Sequence, residues 1–237
     1  MLFNSPLSSE KANLLISLLE LSDQSHVIDV GCGTGEFLSR VLETYPAKGV
    51  GVDILSESLE QAQANAKRKS VSDRIEFHES DIQKFEATKL FDCGICMGSS
   101  HAYSMGEPAY RETLQGLGSL IRPDGLLLIG ESFWTVDPKK EYLDFIGDPV
   151  GTYRSHQENV ELAVEMGFLP LYATTSTLDE WDDFEWRHHM RIEKRAEESP
   201  DDVELGKRRE FGRRWRAAYL KWGRGTMGFG FYLFKKP

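Results

Sequence analysis

Cysteine is scarce in this 237-residue chain, which has only Cys32, Cys93 and Cys96. Three thiols make no disulfide framework. Cys93 and Cys96 spell C-x-x-C inside an apolar, strand-like run, where side chains three apart point to opposite faces. They read as core positions, and no redox or metal site is expected. The amino terminus lacks a basic stretch followed by an apolar one, so a cytoplasmic protein is expected. Long apolar runs are missing too: the most conspicuous, Leu126 to Ile129, falls far short of the ~20 residues that span a bilayer, and no membrane partner is expected. Excess positive charge is absent, because 28 Lys and Arg against 38 Asp and Glu leave a net −10. This argues against a nucleic-acid or anionic-membrane binder, which gains affinity by neutralising phosphates. Only residues 207–224 run the other way, with eight Lys or Arg and one Glu. Either a solvated helix face or a surface toward an acidic group fits them. The oligomeric state is not legible.

What is present centres on Val27 to Gly35, reading Val-Ile-Asp-Val-Gly-Cys-Gly-Thr-Gly. Val27, Ile28 and Val30 suit a buried parallel strand, and Gly31, Gly33 and Gly35 let the backbone turn sharply into a helix and approach a ligand closely. Such a turn leaves helix N-terminal amides facing a bound group. The dinucleotide fingerprint wants its third glycine one place later, where Glu36 stands. Asp29 would also oppose a diphosphate.

Asp29-Val30-Gly31-Cys32-Gly33-Thr34-Gly35 resembles the first motif of the class I S-adenosylmethionine-dependent methyltransferases. That ligand carries a sulfonium and a zwitterionic methionine tail, so a carboxylate at the strand end is chemically sensible, and Asp29 favours the methionine amine. Downstream, Gly49 to Asp53 reads as a second buried strand ending in an acid. Asp53 follows the glycine turn by 18 residues, the place where an acid in a βαβ unit accepts hydrogen bonds from ribose hydroxyls, with Ile54 beside it. A third strand, Arg74 to Glu79, leads to Asp81, which resembles the family's adenine-amino acceptor, with Ile82 against the ring. The fourth, Phe91 to Gly98, opens into Ser99-Ser100-His101-Ala102-Tyr103, facing the crevice where parallel sheets bind ligands. Gly98 is expected at the cofactor and Tyr103 at the acceptor. His101 suits either a base toward the acceptor or a hydrogen bond within its loop. The motifs of amino-directed and cytosine DNA methyltransferases are absent.

A helix over Glu107 to Leu120, the turn Arg122-Pro-Asp-Gly125 and the strand Leu126 to Glu131 follow. The turn resembles the family's Lys/Arg-Pro-Gly-Gly, with Asp124 where the first Gly usually stands. Residues 132–154 form a cap segment, and a helix over 155–166 precedes a sixth strand from Leu169 to Thr177. Residues 178–224 make an insertion of two packed helices, with Trp181, Phe184, His188 and Ile192 on one face and Phe211, Trp215, Ala218 and Trp222 on the next. The last strand is Thr226 to Phe234. Gly130-Glu-Ser-Phe-Trp134, Trp181-Asp-Asp-Phe-Glu185 and Pro200-Asp-Asp202 are similar to a group of bacterial methyltransferases like YjhP.

The resemblance implies one α/β domain over 1–237. Its fold would be Rossmann-like and seven-stranded, mostly parallel, in the order 3-2-1-4-5-7-6, with helices on both faces and a helical insertion between strands 6 and 7. The reaction it implies is methyl transfer from S-adenosylmethionine. The insertion's aromatics suit a small or medium organic acceptor, with Trp134 and Trp181 toward it, and suit core packing equally. A non-catalytic S-adenosylmethionine binder and an NAD-dependent oxidoreductase are the alternatives.

Overall fold

The apolar runs come together in one sheet in the computed structural model, which describes residues 2–148 and 151–237. Its strands are β1 (His26–Val30), β2 (Lys48–Asp53), β3 (Ile75–Glu79), β4 (Phe91–Met97), β5 (Ile121–Trp134), β6 (Leu169–Thr175) and β7 (Met227–Lys235). They lie in the order β3-β2-β1-β4-β5-β7-β6, the order the family resemblance implied. The pairs from β3 to β5 are parallel, and β7 runs antiparallel to both β5 and β6.

Alternation along each strand splits the core into two layers. Val27, Cys93, Ile95, Leu128 and Phe231 face one side, and Ile28, Val30, Cys96, Leu127 and Tyr232 face the other. Cys93 and Cys96 therefore lie on opposite faces, both fully buried. On the first face pack α1 (Ser9–Ser17) and α2 (Glu36–Thr44), with α3 (Ser56–Arg68) beside them through Ala66. The second face is covered by α4 (Ala109–Leu120) through Leu114 and Leu117, and by α6 (His156–Glu165) through Leu162 and Ala163. Between them in sequence, α5 (Lys140–Ile146) lies in the cap segment. Pro149 and Val150, which fall in the expected cap, are outside the described residues.

Helix starts follow local capping chemistry. Ser8 caps α1 by accepting from Lys11 N, and Ser155 with Glu158 and Thr177 with Glu180 form capping boxes at α6 and at α7 (Leu178–Glu198). The first helix stops before Leu19, because Leu18 caps it and Glu20 takes a positive φ of 46°, although Leu19 stays buried. Strand β5 is longer than Leu126 to Glu131, since β7 pairs with it as far as Trp134 opposite Met227. Asp124 in the preceding turn adopts φ 62°, a left-handed conformation that explains the family's glycine there.

The insertion is indeed a helix pair. Gly212 on α8 (Val203–Ala218) faces Ile192 of α7, and a π-helical turn, Tyr219–Gly223, leads through α9 (Arg224–Thr226) into β7. The basic run meets the acids of α7. Arg213 donates to both carboxylate oxygens of Glu193 at 2.6 and 2.8 Å, and Arg224 grips Asp182 at 2.9 to 3.1 Å.

Candidate active site

At the carboxyl ends of the parallel strands a cavity of about 570 Å³ opens over the glycine turn. Gly31 and Gly33 take φ values of 67° and 52°. The amides of Gly31 and Cys32 both donate to Val52 O, at 2.8 and 3.1 Å, which folds the turn over the end of β2. A Cβ on Gly31 would sit 2.3 Å from Ser99 Oγ, whereas one on Gly33 would point into open space. Gly33 is thus the bare backbone in the cavity wall. Gly35, at φ 65°, caps α2 and packs against Ala62 of α3, so its place is at a helix crossing and outside the lining.

Three acids at strand ends border the same space. Asp53 is braced by backbone: Oδ2 accepts from Gly33 N at 2.8 Å and Oδ1 from Leu55 N at 2.9 Å, leaving lone pairs on both oxygens for a ligand. Asp81 caps the short turn Ile82–Lys84 by accepting from Gln83 N at 2.9 Å. Asp29 differs from both. It is 3% exposed, its carboxyl receives no hydrogen bond from a described residue, and burial followed by the charge of Asp53 pushes its pKa up to about 8. A buried carboxylate without a donor at a cavity wall is matched by a cationic ligand group. Across the mouth Ile54 is 66% exposed and Ile82 is 8% exposed, two apolar surfaces suited to the faces of a flat ring.

Cys32, Gly98 and His101 complete the sequence-predicted residues in this lining. His101 stands on the turn Ser100–Ala102 and also lines a second cavity, of about 140 Å³. The other three site residues lie elsewhere. Tyr103 turns its ring against Gly116 of α4, with its hydroxyl buried. Trp134 stands edge-on to Tyr142 and Tyr153, at centroid distances of 6.2 and 5.3 Å. Trp181 is buried in the first core layer and borders a third, aromatic cavity with Tyr142, Phe145 and Trp215. Periodic aromatics fill core and line pockets by the same rule, and here packing against neighbouring rings, or for Tyr103 against Gly116, takes them away from the glycine turn.

The wall also holds residues outside the predicted site set. Phe3 packs on Phe37 and under Arg40, which brings Leu2 to Ser5 over the cavity. Lys11 of α1 pairs with Glu180 of α7, tying the amino terminus to the insertion. Arg191, in the second half of α7, reaches the lining, and no spacing relates it to a glycine turn so far upstream. Glu36 lies below the turn, held by Arg40 at 2.7 Å.

Residues 21–178 match the family described as "Methyltransferase domain". The chain belongs to this family. YjhP of Escherichia coli K12 is 26% identical over 211 residues, covering 84% of this chain and 79% of YjhP. Among solved structures, an S-adenosylmethionine-dependent methyltransferase of Geobacter sulfurreducens in complex with S-adenosylhomocysteine superposes with a TM-score of 0.90 at 22% identity, over 99% of this chain and 94% of that one. The X-ray structure of E. coli YjhP gives 0.89 at 21%, over 99% and 95%. At such identities the likeness establishes the fold. Among the described residues no helix is long and apolar enough to cross a membrane.

Proposed function

We propose that this S-adenosylmethionine-dependent methyltransferase acts on a small or medium organic acceptor that enters beside Gly98 and His101. The observation that carries the reading is that two cavities, one over the glycine turn and one behind it, share Gly98 and His101 in their walls. When bound, S-adenosylmethionine supplies an activated methyl group on a sulfonium. Asp29 receives the methionine ammonium, the loop at Gly31 and Gly33 leaves its backbone bare to the ligand, and Asp53 accepts from the ribose hydroxyls. Asp81 takes the adenine amino group, with Ile54 and Ile82 on the ring. Gly35 supports the loop from below, and Cys32 and Gly98 border the tail.

Methyl transfer needs donor and acceptor held collinear in a dry space more than it needs a strong base. The helix pair α7 and α8 serves that end as a lid, with Arg191 in the cavity wall and Lys11–Glu180 as its tie to α1. Trp181 anchors the lid to the core and Trp134 packs behind it, and Tyr103 buttresses the His101 loop. A net charge of −10, with the basic run of α8 partly neutralised by α7, favours a small molecule over nucleic acid, and three buried free thiols suit a cytoplasmic setting. Mass spectrometry of ligands retained on purification, followed by an acceptor screen, tests the reading. A retained S-adenosyl ligand and a methylated product are expected, and turnover with no acceptor of any size would count against it.

A further inference from the structure

The cavity behind His101 is built around a buried carboxyl that nothing in the fold requires. Glu131 lies on β5 opposite Gly230, in the middle of the sheet, and is 6% exposed. Its Oε1 accepts from Ser132 N at 2.9 Å and the Ser100 hydroxyl stands beside it, yet Oε2 is fully buried without a hydrogen-bond partner. Tyr110, on α4, lines the same cavity, and its buried hydroxyl is also unpartnered. Two orphan polar atoms in one small chamber are costly unless something occupies it. Two acids and one guanidinium line the chamber, and the field of Arg154 reaches Glu131. Asp148 joins Glu131 in the lining, and the guanidinium there, Arg154, is already bonded to Glu107 at 2.6 Å.

We propose that this cavity is the acceptor-head site and that the acceptor is an amine, held by Glu131. The assignment rests on the methyltransferase reading above, since Gly98 and His101 stand in the walls of both the chamber and the cofactor cavity. A space of about 140 Å³ admits a short alkylamine and excludes a large rigid headgroup. The same carboxyl prepares the nitrogen for reaction. An amine is an ammonium in neutral water and has no free electron pair until it loses a proton. One N–H bond breaks, the pair stays on nitrogen, and the proton bonds to a Glu131 oxygen. Burial raises the Glu131 pKa from 4.5 to about 7, closer to that of an alkylammonium, so the carboxylate that pairs with the cation is a better acceptor for its proton than an ordinary glutamate.

The test uses the full chain saturated with S-adenosylhomocysteine, whose binding to the wild type is measured first; failure there removes the cofactor reading and leaves the chamber a separate question. The probes are n-butylamine, its neutral counterpart n-butanol, and butyrate, followed by ligand-observed NMR. The amine should bind in preference to the other two. Glu131→Gln should weaken amine binding by about ten- to a hundredfold, the loss expected for one charged hydrogen bond, while leaving the S-adenosylhomocysteine affinity in place. In the wild type, the carbon-13 signal of the Glu131 carboxyl should move on adding butylamine, a readout that does not depend on the variant folding. No detectable amine binding, equal binding of butylamine and butanol, unchanged amine binding in Glu131→Gln, or a stationary carboxyl signal would overturn the assignment.

Discussion

Replacing Asp29 by Asn should make the ligand-free protein more stable and the cofactor complex weaker. In the unfolded chain the carboxyl titrates near its ordinary value of 3.8, whereas in the fold burial and then Asp53 raise it to about 8. A raised carboxyl keeps its proton in the folded state at pH values where the unfolded state has lost it. Stability therefore declines as pH rises through the interval from 3.8 to 8 and is level above it. At pH 7 the penalty spans roughly three pKa units at ~1.4 kcal/mol each, on the order of 4 kcal/mol. Asparagine has no proton to hold, so Asp29→Asn should recover most of that and raise Tm by about 10 °C at pH 7. Little change is expected near pH 4. The same substitution removes the partner of the methionine ammonium and should weaken S-adenosylhomocysteine binding by about tenfold or more. Thermal unfolding of both proteins at pH 4 and pH 7, with calorimetric titration at pH 7, measures the two effects. A carboxyl kept for folding alone would give destabilisation at pH 7 with unchanged affinity, and that result would refute the argument.

Other positions give sharper single effects. Asp53→Ala should weaken S-adenosylhomocysteine binding by about 1.5–3 kcal/mol, the range for hydrogen bonds to a charged group, while circular dichroism shows an intact fold. An unchanged dissociation constant would show that Asp53 does not hold the ribose. Gly31→Ala places a Cβ 2.3 Å from Ser99 Oγ at φ 67°, so denaturant unfolding should report a loss of about 2–3 kcal/mol together with lost cofactor binding. Removing residues 180–222 and bridging the ends should abolish transfer and also reduce cofactor affinity, because Arg191 leaves the cavity wall. A truncated protein that methylates at the parental rate would exclude the lid.

Much of this architecture was legible because strands carry their own pattern. Val27 to Val30, Gly49 to Asp53 and Leu126 to Ile129 are apolar on both faces, as strands buried between two helical layers must be, and the glycine turn marks where the first ends. Strand order, and the reversal of β7, came from family resemblance, since no local pattern encodes which strands pair. Acids at strand ends were legible for a related reason: the carboxyl end of a parallel strand faces the crevice, so Asp29, Asp53 and Asp81 arrive at one cavity although far apart in sequence. The aromatics were not. Trp134, Trp181 and Tyr103 satisfy the same periodicity whether they face ring neighbours or a ligand, and the choice depends on side chains from α4, α5 and α8 that no window around them contains. Arg191 was hidden because a tertiary contact between the insertion and the amino terminus sets its position. Glu131 did leave a signal, a lone charge directly after the apolar run Leu126 to Gly130, inside a strand that continues to Trp134.

Cofactor choice is set by what fills the cavity over Gly31 and Gly33. Calorimetric titration of the purified protein with S-adenosylhomocysteine and, separately, with NAD decides it. Saturable one-site binding of S-adenosylhomocysteine, tighter than any binding of NAD, is the result expected from Asp29 and the glycine spacing. Tighter binding of NAD, or binding of neither, would contradict it.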